Sequence, residues 1–283
     1  MGYYFGHSPR ELARLEAQST VLRPITRRLL ETARIREGDV VLDLGCGAGD
    51  VSLLAAELVG PTGAVVGVDR SAAAVGLARD RARRAGFKNL EFQVAPAEEL
   101  DVRGEFDMVV GRYVLMHQEH PAAFLRTVSS YVKQGGILAL HEIDMRTTFG
   151  ILPNVVNYQT ICDEFMQAIA AGTPHPDTAA KLASIFQHAG LPEPTVFCER
   201  PVGTAETVEL HRWVASVLLA VREVEGRPPD GDGIDRWQRR LSGWIGTSNS
   251  QVVGPDQYCC WVRLGPSRQQ PTRIKVLHAD DAR

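Results

Sequence analysis

Four things are scarce in this sequence: long apolar runs, a leader pattern, paired cysteines and a surplus of charge of either sign. Each absence removes a class of function. The longest apolar stretch near a tryptophan, Val214 to Val221 with one serine inside it, is far too short to cross a bilayer. The opening residues, MGYYFGHSPRE, contain no basic region followed by an apolar one, so no signal peptide is expected. The five cysteines (Cys46, Cys162, Cys198, Cys259 and Cys260) show no C-x-x-C spacing, and two are adjacent. That arrangement suits neither a disulfide framework nor a metal knuckle, and reads as reduced thiols in a cytoplasmic protein. Lys and Arg number 31 against 34 Asp and Glu, a formal net charge of −3. Duplex binding is driven by phosphate neutralisation, so no nucleic-acid partner is expected. The local cluster Arg79, Arg81, Arg83, Arg84 and Lys88 falls on a helical pattern and reads as a solvated face.

What is present is an ordinary globular composition, 44% hydrophobic and 23% charged over 283 residues, in a chain long enough to bury a substantial core. Ser8-Pro9-Arg10-Glu11 has the form of a capping box, with proline at the first helical position. A first helix follows it, and a second is expected from about Pro24 to Ala33. From Val40 the chain alternates. Strands are expected at Val40–Leu44, Ala64–Val68, Leu90–Val94, Asp107–Val110 and Ile137–Ile143, and helices at about 51–58, Ala72–Ala85 and Phe124–Val132. Gly135-Gly136 is read as the turn into the fifth strand. After Asp144 the rhythm breaks into a loop and helix rich in large apolar groups (147–177). A helix near 179–189, a strand at Thr195–Glu199, helical stretches near 206–225 and 234–246, and a last strand at Tyr258–Leu264 complete the pattern. Strands separated by helices of this length pair in parallel through right-handed crossovers. The sequence therefore specifies an α/β, doubly wound, mostly parallel seven-stranded sheet, with ligand sites at the carboxyl ends of its strands. The tail, 266–283, is polar, contains proline, and reads as disordered.

The chemistry concentrates in Val41-Leu42-Asp43-Leu44-Gly45-Cys46-Gly47-Ala48-Gly49-Asp50. A buried strand runs into three glycines at alternate positions and then into a helix. Glycine lets a ligand approach the backbone and accepts positive φ. A dinucleotide fingerprint, G-x-G-x-x-G, would place its third glycine at position 50, where Asp50 stands. An acid at the start of that helix opposes a pyrophosphate and is harmless to a cofactor without phosphate. Asp69 ends the second strand, 24 residues after Gly45, where a carboxylate can accept both hydroxyls of a ribose.

Glycine loop and strand-end acid together resemble the class I S-adenosylmethionine-dependent methyltransferases, over about Glu37–Asp144. Phe5-Gly6-His7-Ser8, Val114-Leu115-Met116-His117-Gln118 and Lys133-Gln134-Gly135-Gly136 narrow the likeness to bacterial small-molecule methyltransferases. The resemblance implies a Rossmann-like methyltransferase fold with N-terminal helices over the cofactor (1–36), a catalytic domain (37–146 and 178–265) and helical lid or substrate insertions at about 147–177 and 205–247. It implies S-adenosyl-L-methionine as cofactor, with S-adenosyl-L-homocysteine as product. Gly45, Gly47 and Gly49 would contact its methionine and ribose part, with Asp43 and Cys46 nearby, Asp69 and Arg70 at the ribose, and Arg112 beside the cofactor. Tyr4 and Gln18 are candidates for its methionine end. Where such enzymes often carry an aspartate for the adenine amino group, this chain has Pro96. The adenine is then left to the Ala97 N–H, packing or Glu98, at a cost on the order of 1 kcal/mol.

Methyl transfer is an in-line displacement, so the protein mainly aligns the nucleophile and excludes water. A base helps when the nucleophile carries a proton. Candidates at the sheet edge are His117 and Glu142, then His141 and Asp144. His117 and Glu142 also have plain readings as a cap and a backbone anchor. His117 with His120, and His141 with Glu142 and Asp144, do not form a metal set, because neighbours in a strand point to opposite faces. The aromatic and aliphatic residues of 149–166 and 213–244 suggest a lid over an apolar pocket and a partly apolar, small organic acceptor of the kind met in secondary metabolism. Lids of this kind often contribute to homodimers. An NAD(P)-dependent oxidoreductase is the rival enzyme class, opposed by the third glycine and by the lack of any Y-x-x-x-K pair. Methylation of base amino groups is opposed by Gly111-Arg112-Tyr113-Val114, which stands where an Asn/Asp-Pro-Pro-Tyr/Phe motif would. A cofactor-binding protein without catalysis is the third reading, suggested by Pro96.

Overall fold

The structure is a computed structural model that describes residues 9–147, 150–152, 163, 166–167, 169–224, 239, 242–243, 246 and 250–265. Its centre is a seven-stranded sheet in the order β3-β2-β1-β4-β5-β10-β7. The strands are β1 (Val40–Leu44), β2 (Ala64–Asp69), β3 (Leu90–Val94), β4 (Phe106–Arg112), β5 (Val132–Ile143), β7 (Thr195–Glu199) and β10 (Gln257–Arg263). The first five pair in parallel, and β10 runs antiparallel to both β5 and β7. The chain order reverses between β1 and β4, which opens a crevice at their carboxyl ends, the usual ligand position of such sheets.

Burial on both faces explains why β1, β4 and the second half of β5 read as continuous apolar runs. Val41 packs into one cluster with Leu54 of α2 (Asp50–Val59) and Leu29 of α1 (Pro9–Thr32), while Leu42 packs into another with Leu125 of α4 (Pro121–Ser129). A third, smaller cluster seats α3 (Ala72–Arg84) through Val75 and Ala78 on Phe92. Phe186 of α5 (Leu182–Ala189) joins the second cluster, and Trp213 of α6 (Val208–Val224) joins the first. The adjacent thiols divide in the same way, Cys259 to one face and Cys260 to the other.

Three local expectations change. One helix, α1, runs through Pro24 instead of breaking there. Proline cannot donate to the carbonyl one turn earlier, but Leu22, Ile25, Leu29 and Leu30 are buried on the inner face, and that burial outweighs the lost bond. The fourth helix begins at Pro121 and ends at Ser129. Proline at its first turn marked the start, and Val132 already belongs to β5. Gly135 and Gly136 lie inside β5, with Gly135 at φ +79 and a register shift opposite Phe106 and Met108. They form an irregularity within the strand, not a turn before it.

A second, antiparallel sheet of three short strands, β6 (Gly150–Leu152), β9 (Gln251–Val253) and β8 (Val202–Gly203), has no counterpart in the sequence reading, which gave 150–152 to a loop and helix. Phe149, Tyr158, Trp237 and Trp244 of the expected lid, and the tail 266–283, lie outside the described residues. Among the described residues no helix is long and apolar enough to cross a membrane. Pro24 is exposed, so Pro24→Ala restores a helical donor without disturbing packing. The variant is expected to gain about 1–3 kcal/mol, read as a higher urea midpoint at unchanged m-value.

Candidate cofactor and acceptor site

The turn after β1 is held open by its glycines. Gly45, Gly47 and Gly49 have φ of +60, +53 and +84, values that favour residues without Cβ. A Cβ on Gly45 would come 2.9 Å from Val114, and one on Gly49 would come 3.0 Å from Phe92. At Gly47 no atom stands within 4 Å of that position, so its backbone is open to a ligand. The turn is tied to β2 twice. The Cys46 N–H donates to the Val68 carbonyl at 2.9 Å, and the Gly47 N–H donates to Oδ2 of Asp69 at 2.9 Å. Oδ1 of Asp69 accepts the Ser71 N–H at 2.8 Å. Each Asp69 oxygen thus uses one backbone donor and keeps lone pairs for a further hydroxyl.

Asp43 lies under this turn, 1% exposed. Ser52 of α2 donates to its Oδ2 at 2.5 Å. Burial, opposed by that hydrogen bond and by Arg112, pushes the Asp43 carboxyl up to about 7. Asp50, in the first turn of α2, forms ion pairs with Arg81 at 2.7 Å and with Arg112 at 3.4 Å. The sequence reading noticed Asp50 only as an obstacle to phosphate. Its partners lie 31 and 62 positions away, and no local signal announces them.

These groups border a cavity of about 520 Å³. Of the residues singled out from the sequence, Asp43, Gly45, Cys46, Gly47, Asp69 and Arg70 line it around the turn. Gln18 of α1, Ala97, Arg112 and His117 line it from the other sides. Gly49 does not line the cavity but packs against Phe92 and Ala78. Pro96 caps the short 3-10 turn Ala97–Glu99, and its neighbours Ala95, Ala97 and Glu98 line the wall instead. Tyr4 lies outside the described residues. Ile143, Met145, Met166, Ile169, Trp213 and Val217, all buried and members of one hydrophobic cluster, supply apolar lining.

The two proposed bases separate. His117 closes the 3-10 turn Leu115–His117 and opens onto the cavity. Its side chain is exposed, and partial loss of water around the imidazole lowers its pKa. Glu142 does not reach the cavity. It sits one residue inside the end of β5, fully buried, and its Oε1 accepts the N–H groups of Val114 and Leu115 at 3.0 Å each. It anchors the turn that carries His117, and the catalytic expectation for it is corrected accordingly. Burial pushes Glu142 up to about 7. Asp144 is likewise engaged, its Oδ1 accepting the Arg146 N–H at 3.0 Å.

His141 points to the opposite face, into a buried polar chain that the sequence did not reveal. Its Nδ1 lies 3.0 Å from Oγ1 of Thr26 and its Nε2 lies 3.1 Å from Oε1 of Gln257. The Gln257 amide donates to the Pro255 carbonyl at 2.9 Å, which fixes its Oε1 as an acceptor. His141 therefore carries its proton on Nε2, and its Nδ1 faces the Thr26 hydroxyl, which donates to the Leu22 carbonyl at 3.1 Å. Burial and the nearby Arg112 hold its pKa down at about 3, so it stays neutral. The Tyr113 hydroxyl also donates to Gln257 Oε1 at 2.5 Å, and Arg112 reaches Thr26 at 3.4 Å. Tyr113 lines the cavity at φ +59, a strained value for a non-glycine residue. One chain of hydrogen bonds thus ties α1 to β5, β10 and the cavity wall.

Fold and site together define a Rossmann-like α/β protein with an open glycine turn beside a strand-end carboxyl. Residues 35–190 match the family model of a methyltransferase domain, and this chain belongs to that family, the S-adenosylmethionine-dependent methyltransferases. It is 30% identical over 201 residues to the ubiquinone/menaquinone biosynthesis C-methyltransferase UbiE of Pseudomonas savastanoi pv. phaseolicola, covering 66% of this chain and 77% of that one. It is 33% identical over 132 residues to the aklanonic acid methyltransferase DauC of a Streptomyces species, covering 46% and 60%. Among solved structures, the YcgJ protein of Bacillus subtilis shares the fold with a TM-score of 0.56 at 18% identity, covering 85% of this chain and 97% of that one. The [4+2]-cyclase SpnF does so with a TM-score of 0.54 at 20% identity, covering 86% and 81%.

Asp43 and Glu142 both titrate near 7 in the folded protein, well above unfolded carboxyls. In the window between about 4 and 7 the folded state holds more protons than the unfolded one, so stability falls as pH rises through it and levels off above. Glu142→Gln keeps an acceptor for Val114 and Leu115 and removes one titration. The expected result is a shallower decline of urea-unfolding stability between those pH values than in the wild type.

Proposed function

We propose that the cavity binds S-adenosylmethionine at the β1–β2 end and a small, partly apolar organic acceptor at the other, and that the chain transfers the methyl group between them. The observation that carries this reading is the charge of the wall. Among the described lining residues, Asp69 is the carboxyl with no guanidinium partner, Asp43, raised to about 7, carries part of a negative charge, and the guanidiniums are Arg70 and Arg112. Both cations already have acid partners, Glu98 and Asp50. Such a wall favours a ligand bearing a sulfonium and an ammonium, and disfavours a pyrophosphate. The same contrast speaks against the oxidoreductase reading.

Asp69 would hold the ribose hydroxyls, the open Gly47 backbone would admit the ligand, and Ala97 with Arg70 and Glu98 would flank the adenine. Asp43, Gln18 and Arg112 would frame the methionine end. When bound, the cofactor supplies a methyl group activated by its positive sulfur. Asp69, Gln18 and Arg112 would hold the donor so that the acceptor's nucleophilic atom could stand in line with that carbon. His117, neutral at physiological pH, accepts the proton the acceptor gives up. Glu142 holds the turn that presents His117, and the apolar lining excludes water. Both curated relatives carry methyltransferase names for small organic molecules, which supports an acceptor of that kind here.

Calorimetric titration with S-adenosylhomocysteine tests this assignment. Asp69→Ala is expected to weaken binding tenfold or more, while Glu142→Gln leaves the affinity within about twofold. Equal affinities for wild type and Asp69→Ala would contradict the placement of the ribose.

A further inference from the structure

Gln257 opens β10 and is fully buried. We propose that it is a positioning residue of the cofactor site: its amide oxygen fixes Tyr113, and through Tyr113 the stretch 112–114 that walls the glycine turn. The inference rests on the cofactor reading above. It adds to that reading a residue from outside the matched segment 35–190, which is not among the described residues lining the cavity.

A buried amide is unfavourable unless its donors and its acceptor are met. The Gln257 Nε2 donates to the Pro255 carbonyl at 2.9 Å, which turns Oε1 inward. There it accepts the Tyr113 hydroxyl at 2.5 Å and the His141 Nε2–H at 3.1 Å. One oxygen thus joins β10, β5 and the residue that follows β4. Replacing both partners of a buried hydrogen bond by apolar groups of the same shape is nearly neutral for stability. What the amide adds over apolar packing is direction, because it sets where the Tyr113 ring stands.

Tyr113 is a residue that needs holding. Its φ of +59 is a left-handed conformation that persists in a non-glycine residue only where the surroundings enforce it. Its N–H donates to the His141 carbonyl at 2.8 Å, and its ring meets the His141 imidazole edge to face, with centroids 5.7 Å apart. Its two neighbours brace the cofactor turn. Arg112 pairs at 3.4 Å with Asp50, the residue after Gly49. Val114 packs so closely on Gly45 that a Cβ there would come within 2.9 Å of it. Arg112, Tyr113 and Val114 all line the cavity. A tyrosine released from Gln257 can relax its strained backbone, and both braces move with it. Gln257 therefore sets this wall before a ligand arrives, and a ligand that had to order the wall on binding would bind more weakly.

The test pairs calorimetric titration of S-adenosylhomocysteine with urea unfolding, on the full chain and on Tyr113→Phe, Gln257→Met and the double variant. Tyr113→Phe keeps the ring and removes only the hydroxyl, while Gln257→Met keeps the length of the side chain and removes the acceptor. Each single change is expected to weaken binding about three- to tenfold. The double variant is expected to bind within about twofold of the weaker single one, because both changes remove the same contact. An affinity within twofold of the wild type in either single variant, whatever happens to its urea midpoint, reduces the contact to packing and overturns the inference. Losses that multiply in the double variant overturn it as well. If Gln257→Met does not fold, Tyr113→Phe decides alone, by the same twofold criterion. The wild type is titrated first. Its failure to bind S-adenosylhomocysteine would remove the cofactor reading, whereas binding that the variants share unchanged would remove only the role of Gln257.

Discussion

One contact orders the whole site: the carboxylate of Asp69 taking the N–H of Gly47 at 2.9 Å. It fastens the turn after β1 to the end of β2, across the seam of two parallel neighbours. The turn satisfies its Gly49 N–H internally, on the Cys46 carbonyl at 2.8 Å, while its Cys46 and Gly47 amides find their partners on β2. Once Asp69 holds it, the Gly47 backbone is open, the start of α2 is aimed at the crevice, and Asp50 comes within reach of Arg81 and Arg112. Asp43 then lies buried beneath, held by Ser52. Ser52 fits there because β2 carries Gly67 opposite it, where a Cβ would stand 2.8 Å from the serine oxygen.

The carboxyls of the molecule divide by what surrounds them. Asp69 and Asp50 line the cavity wall, Asp69 accepting backbone N–H groups and Asp50 paired with guanidiniums. Asp43 and Glu142 are buried almost completely, and burial shifts their acidity toward neutrality. Glu142 spends one oxygen on two amides and so shapes the turn that ends in His117. The buried chain from Arg112 through Thr26, His141 and Gln257 to Tyr113 is neutral at its centre and joins elements far apart in sequence. Polar networks of this kind fix one arrangement where apolar packing alone would allow several.

Much of the sheet was legible. β1, β3 and β7 match the runs read from the sequence to the residue, although only β1 is buried along its length, β3 and β7 being the mostly exposed edge strands of the sheet. The glycine turn and Asp69 were legible for a chemical reason: few residue types can occupy those backbone positions. What could not be read depends on distance. Thr26 meets His141 across 115 positions, and Tyr113 meets Gln257 across 144. The facing of Glu142 turned on a single residue of strand register, since Ile143, its neighbour, is the one that lines the cavity. Pro24 misled because a local rule about proline yielded to burial along the whole inner face of α1. The three-stranded sheet escaped because strands of two or three residues carry no periodicity.

The account stands on a wall of surplus negative charge around an open glycine turn, which should accept a sulfonium nucleoside and refuse a pyrophosphate. The direct measurement is a side-by-side titration of the wild-type chain with S-adenosylmethionine and with NADH at low and at physiological ionic strength. The account predicts micromolar binding of S-adenosylmethionine, weakened by salt, and no measurable heat with NADH. Saturable binding of NADH with none of S-adenosylmethionine would contradict it.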